Sequence, residues 1–290
     1  MVMNSLVFFN SAVEPVHKQL LIDFASAIDS KLTYTKEYEK CDIAIIFGSW
    51  KKYAQKETAP HHQLKNDITI NHRGKLLVIE TPLLNRTITK DHKYYRVGLN
   101  HFMRGLADFK NYKSNSDRFD DLNIEIKPWR DKGEHVLLIG QNMSDASLSG
   151  LNMAWWIENT IKMLLKNTDR EIIVRDHPEN KRKLKETVDR FNYTNRVSYD
   201  KNVNIKDSLH NSWCTVSYTS GSSVDSIIEG IPVITCSEHN FIWPISSHSL
   251  EDVENPKCNS REQLLYDLAY TQWSVEEIRQ GKPWQHLILK

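Results

Sequence analysis

The sequence predicts an α/β protein made of two successive domains, each built on a largely parallel sheet. Three observations carry that expectation. Short apolar runs of strand length, among them Ile43–Phe47, Leu76–Ile79 and Val136–Ile139, recur along the chain; they read as strands covered on both faces, as parallel sheets are. Between them lie amphipathic stretches of helical period, the alternation of βαβ units. The alternation breaks once, at the polar stretch Asn111–Asp121 (NYKSNSDRFDD), and restarts near His135. At 290 residues the chain has room for two such domains, placed at 1–131 and 132–290, with the last helix able to pack back on the first domain.

Element by element, Leu6–Phe9 is a first strand, and Val16–Ile28 has helical spacing after Pro15, a residue suited to a helix start. Leu32–Thr35, Asp42–Phe47, Lys75–Glu80 and Tyr94–Leu99 follow as strands. In the second half the expected order begins with strand His135–Ile139, helix Trp155–Leu165, strand Glu171–Val174, helix Lys181–Phe191 and strand Val197–Tyr199. It continues with helix Ile205–His210, strand Trp213–Ser217, helix Ser222–Glu229 and strand Pro232–Cys236, and closes on helices near Arg261–Tyr270 and Val275–Gly281. Two Rossmann-like halves facing a cleft fit this order, and ligands of open α/β sheets sit at the carboxyl ends of the strands. The residues just after each apolar run are therefore the ones to search.

Composition narrows the function. With 40% hydrophobic and 26% charged residues the chain is an ordinary globular one, and no apolar run approaches the length of a membrane span. The start, MVMNSLVFFNSAVEP, lacks a basic region and a cleavage site and reads as a strand. Cys41, Cys214, Cys236 and Cys258 lie far apart with no C-x-x-C pair, which points to reduced thiols in a cytoplasmic protein and away from zinc. The net charge of +1 hides an asymmetry: residues 1–130 hold 20 basic and 15 acidic groups, the remainder 18 and 22. The two halves are expected to meet different partners.

Three strand-end segments carry the chemistry. Thr219-Ser220-Gly221-Ser222-Ser223 follows a strand and opens a helix. Its backbone N–H groups and hydroxyls suit a phosphate, with Gly221 permitting close approach, or else form an ordinary serine cap. Arg175-Asp176-His177-Pro178 follows another strand; Arg175 and His177 could neutralise a diphosphate leaving group, or His177 could cap the next helix. Gly140-Gln141-Asn142-Met143-Ser144-Asp145-Ala146-Ser147 follows the first strand of the second half, without the G-x-G-x-x-G or Walker patterns that would mark a dehydrogenase or a P-loop protein.

Together, Gly140-Gln141 with Asp145, Arg175-x-His177-Pro178, and Thr219–Ser223 with the run Glu229-Gly230-Ile231-Pro232-Val233 resemble the nucleotide-sugar half of GT-B glycosyltransferases, including capsule-type sugar transferases. Trp243-Pro244, the segment Leu268–Trp284, and Val78-Ile79-Glu80 with Arg86 resemble phage-encoded glycosyltransferase-like proteins; so do Val97–Asn100 and Gly105–Phe109. The resemblance implies a GT-B-like α/β fold with the donor in the second half. It also implies a co-substrate nucleotide sugar, UDP-linked, in place of a cofactor, and a metal-independent reaction. The last point agrees with the lack of any Asp-x-Asp in the sequence.

An acceptor hydroxyl needs a group to take its proton. Glu80, His101 and Asp108 are the candidates in the first half, against the alternatives of a Glu80–Arg86 pair, a turn cap and a helix cap. Between Gly48 and Lys113 there are 13 basic and 5 acidic residues, with aromatic residues interleaved, the footprint of nucleic-acid contact or of a merely solvated surface. Lys51, Lys52, Arg73, Arg86, Lys93, Arg96, Asn100 and Arg104 are the expected acceptor contacts. The expected function is sugar transfer, of arabinose or a hexose, to a hydroxymethylated pyrimidine in phage DNA. A surface polysaccharide or lipid-linked acceptor, and a sugar-nucleotide epimerase, are the alternatives.

Overall fold

The computed structural model describes residues 4–9, 15–34, 37–50, 60–87, 91–181, 183–200, 202 and 204–290. It divides into two compact units, residues 1–122 with 265–290, and residues 123–264.

The first unit begins with β1 (Ser5–Phe9), α1 (Pro15–Ala27), β2 (Lys31–Tyr34), β3 (Ile43–Phe47), α2 (Pro60–Asn71), β4 (Lys75–Glu80), β5 (Tyr94–Leu99) and the short α3 (Asp117–Asp120). The second unit runs β6 (His135–Ile139), α4 (Met153–Asn167), β7 (Glu171–Arg175), α5 (Lys185–Asp189), β8 (Val197–Tyr199), α6 (Ile205–Ser208), β9 (Ser212–Ser217), α7 (Ser222–Ile228) and β10 (Val233–Thr235). After α8 (Glu262–Ala269) the chain adds β11 (Gln272–Ser274) and α9 (Val275–Arg279) to the first unit.

The first sheet has the order β11-β5-β4-β3-β1-β2. β1 to β4 are parallel, and their apolar runs are buried, as covered central strands must be. β5 departs from the expected parallel pattern. It pairs antiparallel with β4, Glu80 opposite Arg96 and Leu77 opposite Leu99. Parallel return needs a crossover element, and the β4–β5 connection has no helix among its described residues. Gly98 is where the next loop presses on the sheet: an added Cβ would lie 2.6 Å from His101 O and 2.7 Å from Phe109 Cε1.

β11, which no apolar pattern announces, pairs antiparallel with β5. It is held by Gln272, whose Oε1 accepts the amides of Leu83 and Leu84 at 3.1 and 3.0 Å. A reciprocal capping box of Ser274 and Glu277 starts α9, and Glu277 takes a two-pronged contact from Arg118 at 2.7 and 2.9 Å.

The second sheet, β10-β9-β6-β7-β8, is parallel throughout. Its first strand is central, and chain order reverses between β6 and β9. α4 covers one face. Asn152 caps it by accepting the Trp155 amide at 3.1 Å. Met153, Trp156, Ile157, Thr160, Ile161 and Leu164 form its buried stripe.

Burial holds the imidazoles of His92, His135 and His177 below the ordinary value of 6.5. The unfolded chain therefore takes up protons first as the pH falls. Stability should be full well above about pH 6.5 and decline as the pH falls through that value. Urea midpoints are expected to drop between about pH 7.5 and 5.5. His135→Gln, which keeps a polar group beside Ser212 Oγ (2.9 Å away in the native pair), should flatten that decline.

Candidate functional site

The second unit brings the three strand-end segments together. In register, Ile139 lies between Arg175 of β7 and Ser217 of β9. Gly140, Asp176 and Tyr218 therefore leave the sheet side by side at its carboxyl edge, where β6 and β9 diverge. Such a switch point is where open α/β sheets bind ligands. Gly140 allows the close packing: a Cβ there would lie 2.5 Å from Leu184 Cδ1 and 3.0 Å from Arg175 O.

A polar network spans the switch point. Gln141, 3% exposed, accepts the Thr219 amide on Oε1 at 2.8 Å. Its Nε2 donates to Thr219 Oγ1 at 3.0 Å and Ser147 Oγ at 3.2 Å. The two hydroxyls are 2.9 Å apart. Asp145 caps the turn below by accepting the Ser147 amide at 2.9 Å. Asn180, buried, donates to Gln141 O and Asp176 Oδ1, each at 2.7 Å, and accepts the Met143 amide at 2.9 Å. The loops after β6 and β7 are thus joined.

His177 precedes Pro178, which opens a short 3-10 turn, and its Nδ1 accepts the Glu179 amide at 3.3 Å. With Nδ1 accepting, the neutral ring carries its proton on Nε2. Burial lowers its pKa; the carboxylates of Glu179, Asp145 and Asp176 oppose that shift and Arg175 adds to it. A neutral imidazole with an available Nε2–H donor suits an anionic oxygen.

Arg175 behaves differently from the expected diphosphate contact. Its guanidinium, in a side chain 8% exposed, makes an ion pair at 3.3 Å with Asp200, whose side chain is 3% exposed. Nη1 also donates to Ser208 Oγ at 2.6 Å and Asn202 O at 2.9 Å. These contacts assign Arg175 to bracing the loops after β7 and β8.

The serine turn divides as well. Ser220 Oγ accepts the Ser222 amide at 3.2 Å, and Ser223 N donates to Ser220 O, also at 3.2 Å, so Gly221 sits in a closed turn. Thr219, Ser220, Gly221 and Ser222 are half-buried at the sheet edge. Ser223 is fully buried, 2.6 Å from Ser217 Oγ and 3.0 Å from Asn240 Nδ2. Its hydroxyl belongs to the framework. Asn180 and Asn240 were not signalled by any motif, whereas Ser147 closes the segment after β6 that the sequence singled out; each acts through contacts distant in sequence.

In the first unit, half-buried Glu80 ends β4 at the carboxyl edge of the parallel strands and accepts the amides of Ser49 at 3.0 Å and Thr81 at 2.9 Å. β5 runs the other way, so Asp108 lies elsewhere, whereas the loop after Asn100 folds back over the sheet and brings the His101 ring to 4.9 Å, between centroids, from Trp50, the neighbour of the Ser49 held by Glu80. Asn100, with φ 66°, bonds Leu76 at the start of β4 through both its amide and Oδ1 (2.5 and 3.1 Å). The chain therefore leaves the sheet at the edge opposite Glu80. His101 Nδ1 accepts the Met103 amide at 3.1 Å, which ties the ring to its own turn. Asp108, exposed, caps the Lys110 amide at 2.8 Å.

The basic residues are divided too. Exposed Arg86 and Lys93 flank the Glu80 edge, and Arg96 is 7% exposed within β5. Arg73, bonded to Ile70 O at 2.6 Å, follows α2 at the opposite edge. Arg104 lies in the loop beyond His101. Lys51 and Lys52 fall outside the described residues.

Among the described residues no helix is long and apolar enough to cross a membrane. No family model and no curated protein matches the chain. Among solved structures, a KpsC beta Kdo 2,7 transferase from Thermosulfurimonas dismutans matches with a TM-score of 0.58 at 13% identity, over 96% of this chain and 98% of that one. A UDP-GlcNAc 2-epimerase from Methanocaldococcus jannaschii covers 87% of each chain at 13% identity, but with a TM-score of 0.32, at which no shared fold is implied. The chain has a mixed α/β, GT-B-like fold with two parallel-rich sheets.

Proposed function

We propose that the protein is a glycosyltransferase that takes its donor as a nucleotide-activated sugar, UDP-linked, on the second unit. The observation that supports this reading most is the Gln141–Ser147–Thr219 network at the β6/β9 switch point, with His177 following β7 at the same carboxyl edge. In transfer, the bond from the anomeric carbon to the phosphate oxygen breaks and a bond to the acceptor oxygen forms. The charge left on the nucleotide is met by the His177 Nε2–H and the hydroxyls of Thr219, Ser220 and Ser222. The acceptor proton passes to the Glu80 carboxylate.

Two acceptor classes are proposed. One is a hydroxymethylated pyrimidine in DNA; the other is a polysaccharide or lipid-linked oligosaccharide. The division of the basic residues between both edges of the first sheet favours the second, because a duplex needs its phosphate contacts on one continuous surface. The test is mass spectrometry of both acceptors after incubation with a panel of UDP- and CMP-sugars. A mass increment of one glycosyl residue on either acceptor is the expected result. No transfer, together with no nucleotide binding by calorimetry, would overturn the donor reading. Transfer is expected to survive EDTA, since protein groups are proposed to meet the leaving charge; complete loss restored by a divalent ion would refute that.

A further inference from the structure

We propose that the stacked pair Trp243–His248 is the platform on which the base of the donor nucleotide lies. This inference rests on the donor reading above and names the part of the donor that a second feature of the same unit would hold. The two rings are 3.4 Å apart between centroids and 3° from parallel, and His248 Nε2 lies 2.9 Å from Trp243 O. Trp243 is half-buried and His248 exposed. The pair is thus already ordered, with an aromatic surface turned to solvent, so a further flat ring can be added without first fixing side-chain rotamers.

Its place in the fold links it to the switch point. Ser247 extends the sheet beside β10: its amide donates to Val233 O at 3.1 Å and its carbonyl accepts the Thr235 amide at 2.9 Å. The bridge is parallel, with Ser247 beside Ile234, so His248 emerges at the same carboxyl edge as Tyr218 and Thr219. It lies two strand spacings, roughly 10 Å, from β9, about the reach of a nucleotide from base to phosphate. Trp243 is tied to that edge from the other side. Its amide donates to Asn240 O at 3.1 Å. Asn240, 1% exposed, donates through Nδ2 to Tyr218 O and Ser223 Oγ, both at 3.0 Å, and to Ser217 Oγ at 3.2 Å. The loop carrying the rings is therefore braced to the strand end and to the start of α7.

Stacking a base on an aromatic ring is sequence-tolerant and strengthens binding by roughly 5- to 150-fold per base. The test is calorimetry with UDP, CMP and inorganic pyrophosphate on the full chain. Trp243→Ala is expected to weaken nucleotide binding within that range and leave pyrophosphate binding unchanged, because only the base meets the platform. His248→Ala, which removes an exposed ring, should act in the same direction at the lower end of the range and carries the test if Trp243→Ala does not fold. Unchanged nucleotide affinity in the variants, or a parallel loss of pyrophosphate affinity, would overturn the platform while leaving the donor reading in place. A wild-type protein that binds neither UDP nor CMP would overturn both.

Discussion

Arg175→Met is expected to destabilise the protein by about 3–5 kcal/mol, the usual cost of removing one partner from a buried ion pair. Asp200 would be left charged in a side chain only 3% exposed, and Ser208 Oγ and Asn202 O would lose a donor. Arg175→Met with Asp200→Asn removes the stranded charge and should recover part of the loss, which a double-mutant cycle by urea unfolding measures directly. UDP affinity of the folded single variant should change by less than about tenfold, since the guanidinium acts through the loops it braces. The opposite pattern, near-native stability with UDP affinity reduced by one to two orders of magnitude, would restore Arg175 as a diphosphate contact.

That reversal shows what a strand-end motif conveys. Ile173-Val174-Arg175 correctly marks an apolar strand ending in a charge, and the period of the pattern places the charge at the carboxyl edge. It says nothing about what the charge meets. Asp200 and Ser208 lie 25 and 33 residues away, one after β8 and the other at the end of α6. The same limit explains β5. Tyr94–Leu99 has strand character in either direction, and only pairing in space decides which; with it went the positions of Asn100 and Asp108. By contrast, β3, β4, β6 and β9 were legible because strands buried on both faces must be nearly continuous apolar runs. The place of Gln141, Thr219 and His177 at the carboxyl edge was legible because they follow such runs. Asn240 and Asn180 were not, since a buried amide that joins two loops leaves no periodic trace. β11, three residues held by pairing and by Gln272, leaves none either.

Glu80→Gln is expected to reduce transfer by the roughly 10²–10⁴-fold typical of a lost general base, with donor binding unchanged because the donor is proposed to sit on the other unit. The position sets a stringent comparison, because the carboxylate also has a structural task. One oxygen accepts Ser49 N–H and the other Thr81 N–H. The glutamine amide can satisfy only one of these, so a loss of about 0.5–1.5 kcal/mol in stability accompanies the change. A carboxylate that served only as this strap would show that modest loss with turnover nearly intact. A base shows the kinetic loss far in excess of it, and in kcat more than in KM. His101→Ala supplies the contrast: with its Nδ1 engaged by the Met103 amide, the ring is held in its own turn, and transfer should change by less than about tenfold. Equal losses for Glu80→Gln and His101→Ala would remove the assignment of the base to Glu80.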